Sequence, residues 1–159
     1  MNPYATNLGD RIATEVIAET PRLLSEFVHQ LGDAGLERRT APGKWTVREI
    51  LIHLADTEIA FAFRLRQALA EDHHIIQPFD QDKWAISYAA YSARVALETF
   101  LTLRRWNLAL IAETNQDAFL KPLSHPERWQ MTFQVLVETM AGHDLNHISQ
   151  FEKILSQGA

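Results

Sequence analysis

The chain has 159 residues, 47% hydrophobic and 22% charged, a net charge of −5 and no cysteine, which suits one globular domain with a real core and excludes disulfides, thiolate metal sites and cysteine nucleophiles. Its basic residues are scattered (Arg38-Arg39, Arg64 and Arg66, Arg104-Arg105), which argues against nucleic-acid binding, since that needs clustered Lys and Arg. The opening MNPYATNLGD has no basic n-region or apolar h-region, and no apolar run approaches the roughly 18 residues that span a bilayer, so a cytoplasmic chain away from membranes is expected.

Four main helices are predicted. The first lies within residues 7–31, where Leu8, Ile12, Val16 and Ile17, then Leu23, Leu24, Phe27, Val28 and Leu31, recur at helical spacing. Thr20 reads as an N-cap and Pro21 as a first helical position, which predicts a break or kink near residue 20. Gly32 reads as a C-cap.

The second helix starts at APGKWTVREI. Thr46 and Glu49 have capping-box spacing, and Trp45 and Ile50 flank the cap as a hydrophobic staple does. It runs to about Glu71 with Val47, Ile50, Leu54, Thr57, Phe61, Leu65 and Ala68 facing inward. Residues 72–86 connect to a third helix over roughly 87–114, with Tyr91, Val95, Leu101, Leu108 and Ile111 as its buried side. A second long loop covers 115–129. The fourth helix spans about 130–156, with Phe133, Leu136, Val137, Met140, His147, Phe151 and Ile154 inward.

Four amphipathic helices without strand alternation predict an all-α four-helix bundle in a single domain over 1–159. The two loops exceed what an up-and-down bundle needs and are candidates for covering one mouth.

In GHDLNHISQ (142–150), His143 and His147 stand one helical turn apart, about 40° apart around the axis and within about 60° of Met140 at the centre of the inward stripe. His53, in LIHLADTE, flanks the inward stripe of the second helix. Three unpaired buried imidazoles would cost free energy with no return as core packing. As ligands converging on one divalent ion they make sense. A zincin protease is excluded by spacing: Asp144, not Glu, follows the first histidine, and no histidine lies in the twelve residues after His147. His73-His74 reads as a solvated loop pair, and His29 as a helix-end cation. His125, in a loop, could approach the site. Imidazole suits zinc, nickel, iron and copper alike, so spacing does not choose the metal.

GKWTVREILIHLADTE, PFDQDKWA and HPERWQMTFQVLVETMAGHDLNHISQ together resemble the DinB-like superfamily of YfiT-type metalloenzymes, the damage-inducible bundle family. The likeness covers residues 8 to 155. Its most specific marks are W-[ST]-x-x-E-x-x-x-H and a distant H-x-x-x-H-x-x-Q. The resemblance implies a four-helix bundle in up-down-down-up order, which fits the two long loops. It also implies a histidine triad holding one divalent ion, zinc or nickel foremost and iron as an option, at His53, His143 and His147. Characterised members are metal-dependent transferases that use low-molecular-weight thiols, so the resemblance implies a transferase and a stress-response setting.

The expected chemistry is activation of an external thiol for attack on a small-molecule electrophile. The alternatives are a hydrolase that activates water and a non-catalytic metal-binding stress-response protein. Glu49, Asn146 and Gln150 have helical offsets suited to orienting a histidine ring, although Glu49 also has its capping role. Arg64 could meet an anionic substrate or simply snorkel outward. Trp84, Asp80 and Tyr91 are candidates for the entrance. Nucleic acid and membrane are not expected partners, and homodimerisation is compatible with such a bundle.

Overall fold

The computed structural model describes residues 2–127 and 129–157. Helices dominate: α1 Ala5–Leu8, α2 Ala13–Gly35, α3 Val47–Ala70, α4 Gln81–Ala85, α5 Ala93–Ala112, α6 Gln116–Phe119 and α7 Phe133–Ser156. A short hairpin, β1 Pro122–His125 and β2 Trp129–Thr132, precedes α7. The four long helices are α2, α3, α5 and α7. None of the described helices is long and apolar enough to cross a membrane.

The start of α3 follows from its capping box. The Glu49 amide donates to Thr46 Oγ1 at 3.1 Å, and Glu49 Oε2 accepts from the Thr46 amide at 2.7 Å, which satisfies orphan donors of the first turn reciprocally. Thr132 and Ser92 cap α7 and α5 with one-way bonds, accepting from the Val135 and Val95 amides.

The expected break near residue 20 is absent: α2 continues through Pro21, and its only non-helical residue is Gly32, at φ 59° and ψ 179°. Thr20 is buried and does not cap; its hydroxyl donates to the Val16 carbonyl at 2.9 Å. Proline costs a helix the bond to the carbonyl four residues earlier. Here that carbonyl belongs to Ile17, and it accepts from Arg104 Nη1 at 3.0 Å. A side chain from another helix thus replaces the lost donor.

Helix α5 is shorter than expected. Residues Tyr88–Ala90 form a separate 3-10 turn. Tyr91, before the helix, and Val95, in its first turn, are exposed rather than buried.

Two apolar clusters fix the helix directions. One joins Ile17 near the start of α2 and Phe133, Leu136 and Val137 at the start of α7 to Leu65 and Ala68 at the end of α3 and Ile111 at the end of α5. The other joins Leu24, Phe27 and Leu31 further along α2 and Phe151 and Ile154 at the end of α7 to Val47 and Ile50 at the start of α3 and Ala93 and Ala96 at the start of α5. Therefore α2 and α7 run one way while α3 and α5 run the other, an up-down-down-up bundle. Parallel α3 and α5 require a connection that travels back along the bundle, and residues 71–92 supply it.

The second connection holds the hairpin, which alternation did not reveal because each strand has only four residues. Leu123 and Met131 pair across it and point into the first cluster. The two connections are also joined to each other. The Ile76 amide donates to the Ser124 carbonyl at 2.8 Å, and the Ser124 amide donates to the His74 carbonyl at 2.9 Å. His74 is accordingly half-buried, with Nδ1 2.6 Å from the Glu71 carboxylate, not solvated as expected; His73 is exposed.

Candidate metal centre

Between the two apolar clusters lies a buried polar layer. It contains His53, Thr57 and Glu58 from α3, Arg104 and Asn107 from α5, and His143, Asp144 and His147 from α7. Helical spacing places these residues. His143 and His147 are one turn apart on α7, and His53 enters from α3, whose neighbouring Ile50 and Leu54 are in the core.

The three imidazoles meet. His143 Nε2 lies 3.0 Å from His53 Nε2 and 3.2 Å from His147 Nε2. One ligand atom from each ring lies within 4.8 Å of the other two. Nitrogen ligands sit about 2.0–2.1 Å from zinc, so two on one ion are at most about 4.2 Å apart. The two measured separations satisfy this limit.

The protonation states suit the same reading. Burial, followed by the neighbouring His147, pushes His53 down to about 3. Burial holds His143 well below its ordinary range, with His147, His53 and Arg104 adding to the effect. Burial also lowers His147, opposed by Gln150 and Asp144. Neutral rings keep a lone pair for a ligand. For His147 the tautomer is set: Nδ1–H donates to Gln150 Oε1 at 3.1 Å, which leaves the Nε2 lone pair directed at the cluster. Three neutral imidazoles that each bring an Nε2 to one point are a donor set that a divalent cation would complete. His53 Nδ1, buried and without a hydrogen-bond partner among the described residues, shows that the layer is not arranged to satisfy this ring through its other nitrogen.

A cavity of about 180 Å³ opens onto His53 and His143. Its wall includes Tyr4, Thr57, Phe61, Arg64, Phe79, Gln81, His125, Glu127 and Thr139. Tyr4 meets His143 edge-on at 5.4 Å between ring centres. Thr57 donates to the His53 carbonyl at 2.7 Å and holds its Oγ1 3.4 Å from His53 Nε2. The Arg64 guanidinium lies over Phe79 at 5.5 Å and Phe61 at 5.9 Å, with Nη2 donating to the Gln77 carbonyl at 3.0 Å. His125 Nδ1 accepts from the Glu127 amide at 3.1 Å, so a neutral His125 carries its proton on Nε2. A larger cavity, about 900 Å³, lies between α1, the start of α2 and α6 and contains no histidine. Size therefore does not mark the chemical site here.

Other sequence expectations divide. His125 and Arg64 do reach the cavity. Gln150 orients a ring, whereas Asn146 makes no hydrogen bond to His143. Glu49 serves the cap alone among these roles. Asp80 caps α4 through the Asp82 and Lys83 amides, Trp84 packs on Phe79 at 4.6 Å, and neither they nor Tyr91 line the cavity. Phe79 and Gln81, beside them in the chain, do. Tyr4 and Thr139 were not anticipated. Thr57 stands at i+4 from His53, a spacing that marks a shared helix face.

The family model described as the DinB superfamily matches residues 17–151. The chain belongs to the DinB superfamily. A relative from Oceanobacillus iheyensis, named as a metal-dependent hydrolase, is 27% identical over 143 residues, covering 87% of this chain and 81% of its own. YfiT from Bacillus subtilis, also named as a metal-dependent hydrolase, is 28% identical over 145 residues, covering 88% and 80%. The solved YfiT structure, described as an unusual four-helix bundle, has a TM-score of 0.84 at 23% identity, over 92% of this chain and 85% of that one. The mycothiol-dependent maleylpyruvate isomerase shares the fold at a TM-score of 0.64 and 14% identity, over 89% of this chain and 61% of that one.

Proposed function

We propose that this DinB-superfamily chain is a metal-dependent enzyme, with His53, His143 and His147 holding one divalent ion and the adjoining cavity holding a small substrate. The observation that carries the reading is the approach of three neutral, buried Nε2 atoms at 3.0 and 3.2 Å, two of them, on His53 and His143, in the wall of an open cavity. A divalent ion held there supplies Lewis acidity that lowers the pKa of a thiol or water reaching it. Zinc and nickel fit the all-imidazole set, and iron is an option.

The chain's own residues divide the remaining work. Gln150 keeps the His147 lone pair facing the ion. Arg64, held between two phenyl rings, offers a cation to an anionic group on the substrate. His125 brings an imidazole from the hairpin into the cavity wall. Phe61 and Phe79 give the cavity an apolar wall.

The reaction we favour is transfer of a low-molecular-weight thiol to a small electrophile. The chain has no cysteine, so the thiol is external, and a thiol-dependent isomerase shares the fold. The second reading is hydrolysis, favoured by the names of the relatives from Oceanobacillus iheyensis and Bacillus subtilis.

Elemental analysis of untagged protein should find about one divalent ion per chain, and added zinc or nickel should raise the melting temperature of stripped protein. Consumption of a thiol with an epoxide, against turnover of an ester without thiol, then decides between transfer and hydrolysis. Absence of both bound metal and a thermal shift would end the enzyme reading.

A further inference from the structure

The buried polar layer contains one cation whose every donor is used. Arg104 is 1% exposed. Its Nε donates to Glu58 Oε1 at 3.0 Å and its Nη2 to Glu58 Oε2 at 2.8 Å. Its Nη1 and Nη2 donate to Asp144 Oδ2 and Oδ1 at 2.5 and 3.0 Å. The remaining Nη1–H goes to the Ile17 carbonyl freed by Pro21. Asn107 adds a bond to Glu58 Oε1 at 2.8 Å. Burial alone would lower the guanidinium pKa, but Asp144 and Glu58 more than offset it and raise it, so the charge stays.

The placement of the partners carries the inference. Asp144 lies between His143 and His147 on α7. Glu58 follows Thr57 on α3, five residues after His53. The two carboxylates therefore stand on the two helices that carry the three imidazoles, and one guanidinium from α5, which carries none of them, grips both through planar two-point contacts. Such forks fix orientation as well as distance. Stability does not by itself account for a buried network of this kind, because apolar side chains of similar volume often stabilise a fold equally well, and the best-attested use of such a network is to set register.

We propose that Arg104 is the positioning residue of the metal centre: by clamping Glu58 to Asp144 it sets the spacing and rotation of α3 against α7 at which His53, His143 and His147 share one ion. The proposal rests on the metal reading above.

Two variants test it. R104K keeps the charge but loses both forks. E58L/R104M/N107L/D144V replaces the network with apolar volume. For each, the metal-free melting temperature, the cobalt(II) affinity by chelator competition and the visible spectrum of the cobalt form are measured on folded protein. R104K should bind cobalt about 10–100-fold more weakly, the range seen when groups supporting metal ligands are altered, with a changed spectrum. The apolar variant should recover the wild-type melting temperature and still show weakened affinity and an altered spectrum, a split that a merely structural role would not produce. Wild-type affinity and spectrum in either folded variant would overturn the proposal. If wild-type protein itself takes up no cobalt, the metal reading fails first and the positioning role falls with it.

Discussion

Tyr4 packs directly on the backbone of Gly142: a Cβ placed there would lie 2.6 Å from both the Tyr4 Cβ and the Tyr4 carbonyl oxygen. The absence of a side chain at Gly142 is what lets the N-terminal segment cross α7 one residue before His143. That crossing delivers the Tyr4 ring to the edge of the His143 ring.

Gly142→Ala should therefore displace the segment around Tyr4. Overpacking of this kind costs about 1–3 kcal/mol, here set against the small gain from alanine's better helix propensity. Denaturant unfolding should show net destabilisation, and limited proteolysis should cut the first turn faster. A variant as stable as wild type with an unchanged cleavage pattern would mean that the neighbour yields freely.

Gln150 accepts from His147 Nδ1–H and so holds the Nε2 lone pair on the cluster. Gln150→Leu should weaken divalent-metal affinity about 10–100-fold. Asn146→Ala, which removes no hydrogen bond to His143, should leave the affinity unchanged. Chelator competition on the two variants side by side checks this. Equal losses would show that helix α7, not the Gln150 amide, controls affinity.

Arg64 should matter for substrate charge and not for metal. Loss of a charge-assisted hydrogen bond costs about 1.5–3 kcal/mol. Arg64→Gln should accordingly raise KM for anionic substrates about tenfold or more, leaving neutral analogues and metal content unaffected. An equal rise for neutral substrates would point to distortion of the cavity instead.

Asp56 gives a pH-dependent outcome. Burial raises its carboxyl above the usual range, and the nearby Tyr88 hydroxyl, outside hydrogen-bonding geometry, only partly opposes this. A folded pKa above the unfolded one means that folding favours the neutral acid. The stability it contributes is complete below the unfolded value and is lost as pH rises through the folded one. Asp56→Asn in metal-stripped protein should therefore melt higher than wild type at pH 7 and alike near pH 3. A lower melting temperature for the variant at pH 7 would show that the carboxylate is used in its charged form.

Local chemistry was sufficient for part of this protein. The Thr46–Glu49 capping box set the start of α3, because both partners lie within four residues. The stripes of α3 and α7 turned His53, His143 and His147 inward, because helical period alone decides which residues share a face. The resemblance to the DinB-like superfamily also anticipated the bundle order. Pro21 shows the limit of such reasoning. Its break was expected from a local rule, and the helix continues because Arg104, 87 positions from Ile17, supplies the missing donor. The hairpin is not legible in the sequence because four-residue strands carry too little alternation, and its pairing with residues 74–76 joins segments far apart in the chain. Side-chain type and helical period are properties of neighbouring residues and stand in the sequence itself. The meeting of the three imidazoles, the cavity beside them and the Arg104 clamp depend on contacts between residues 40 or more positions apart, which only packing of the whole chain brings within hydrogen-bond range.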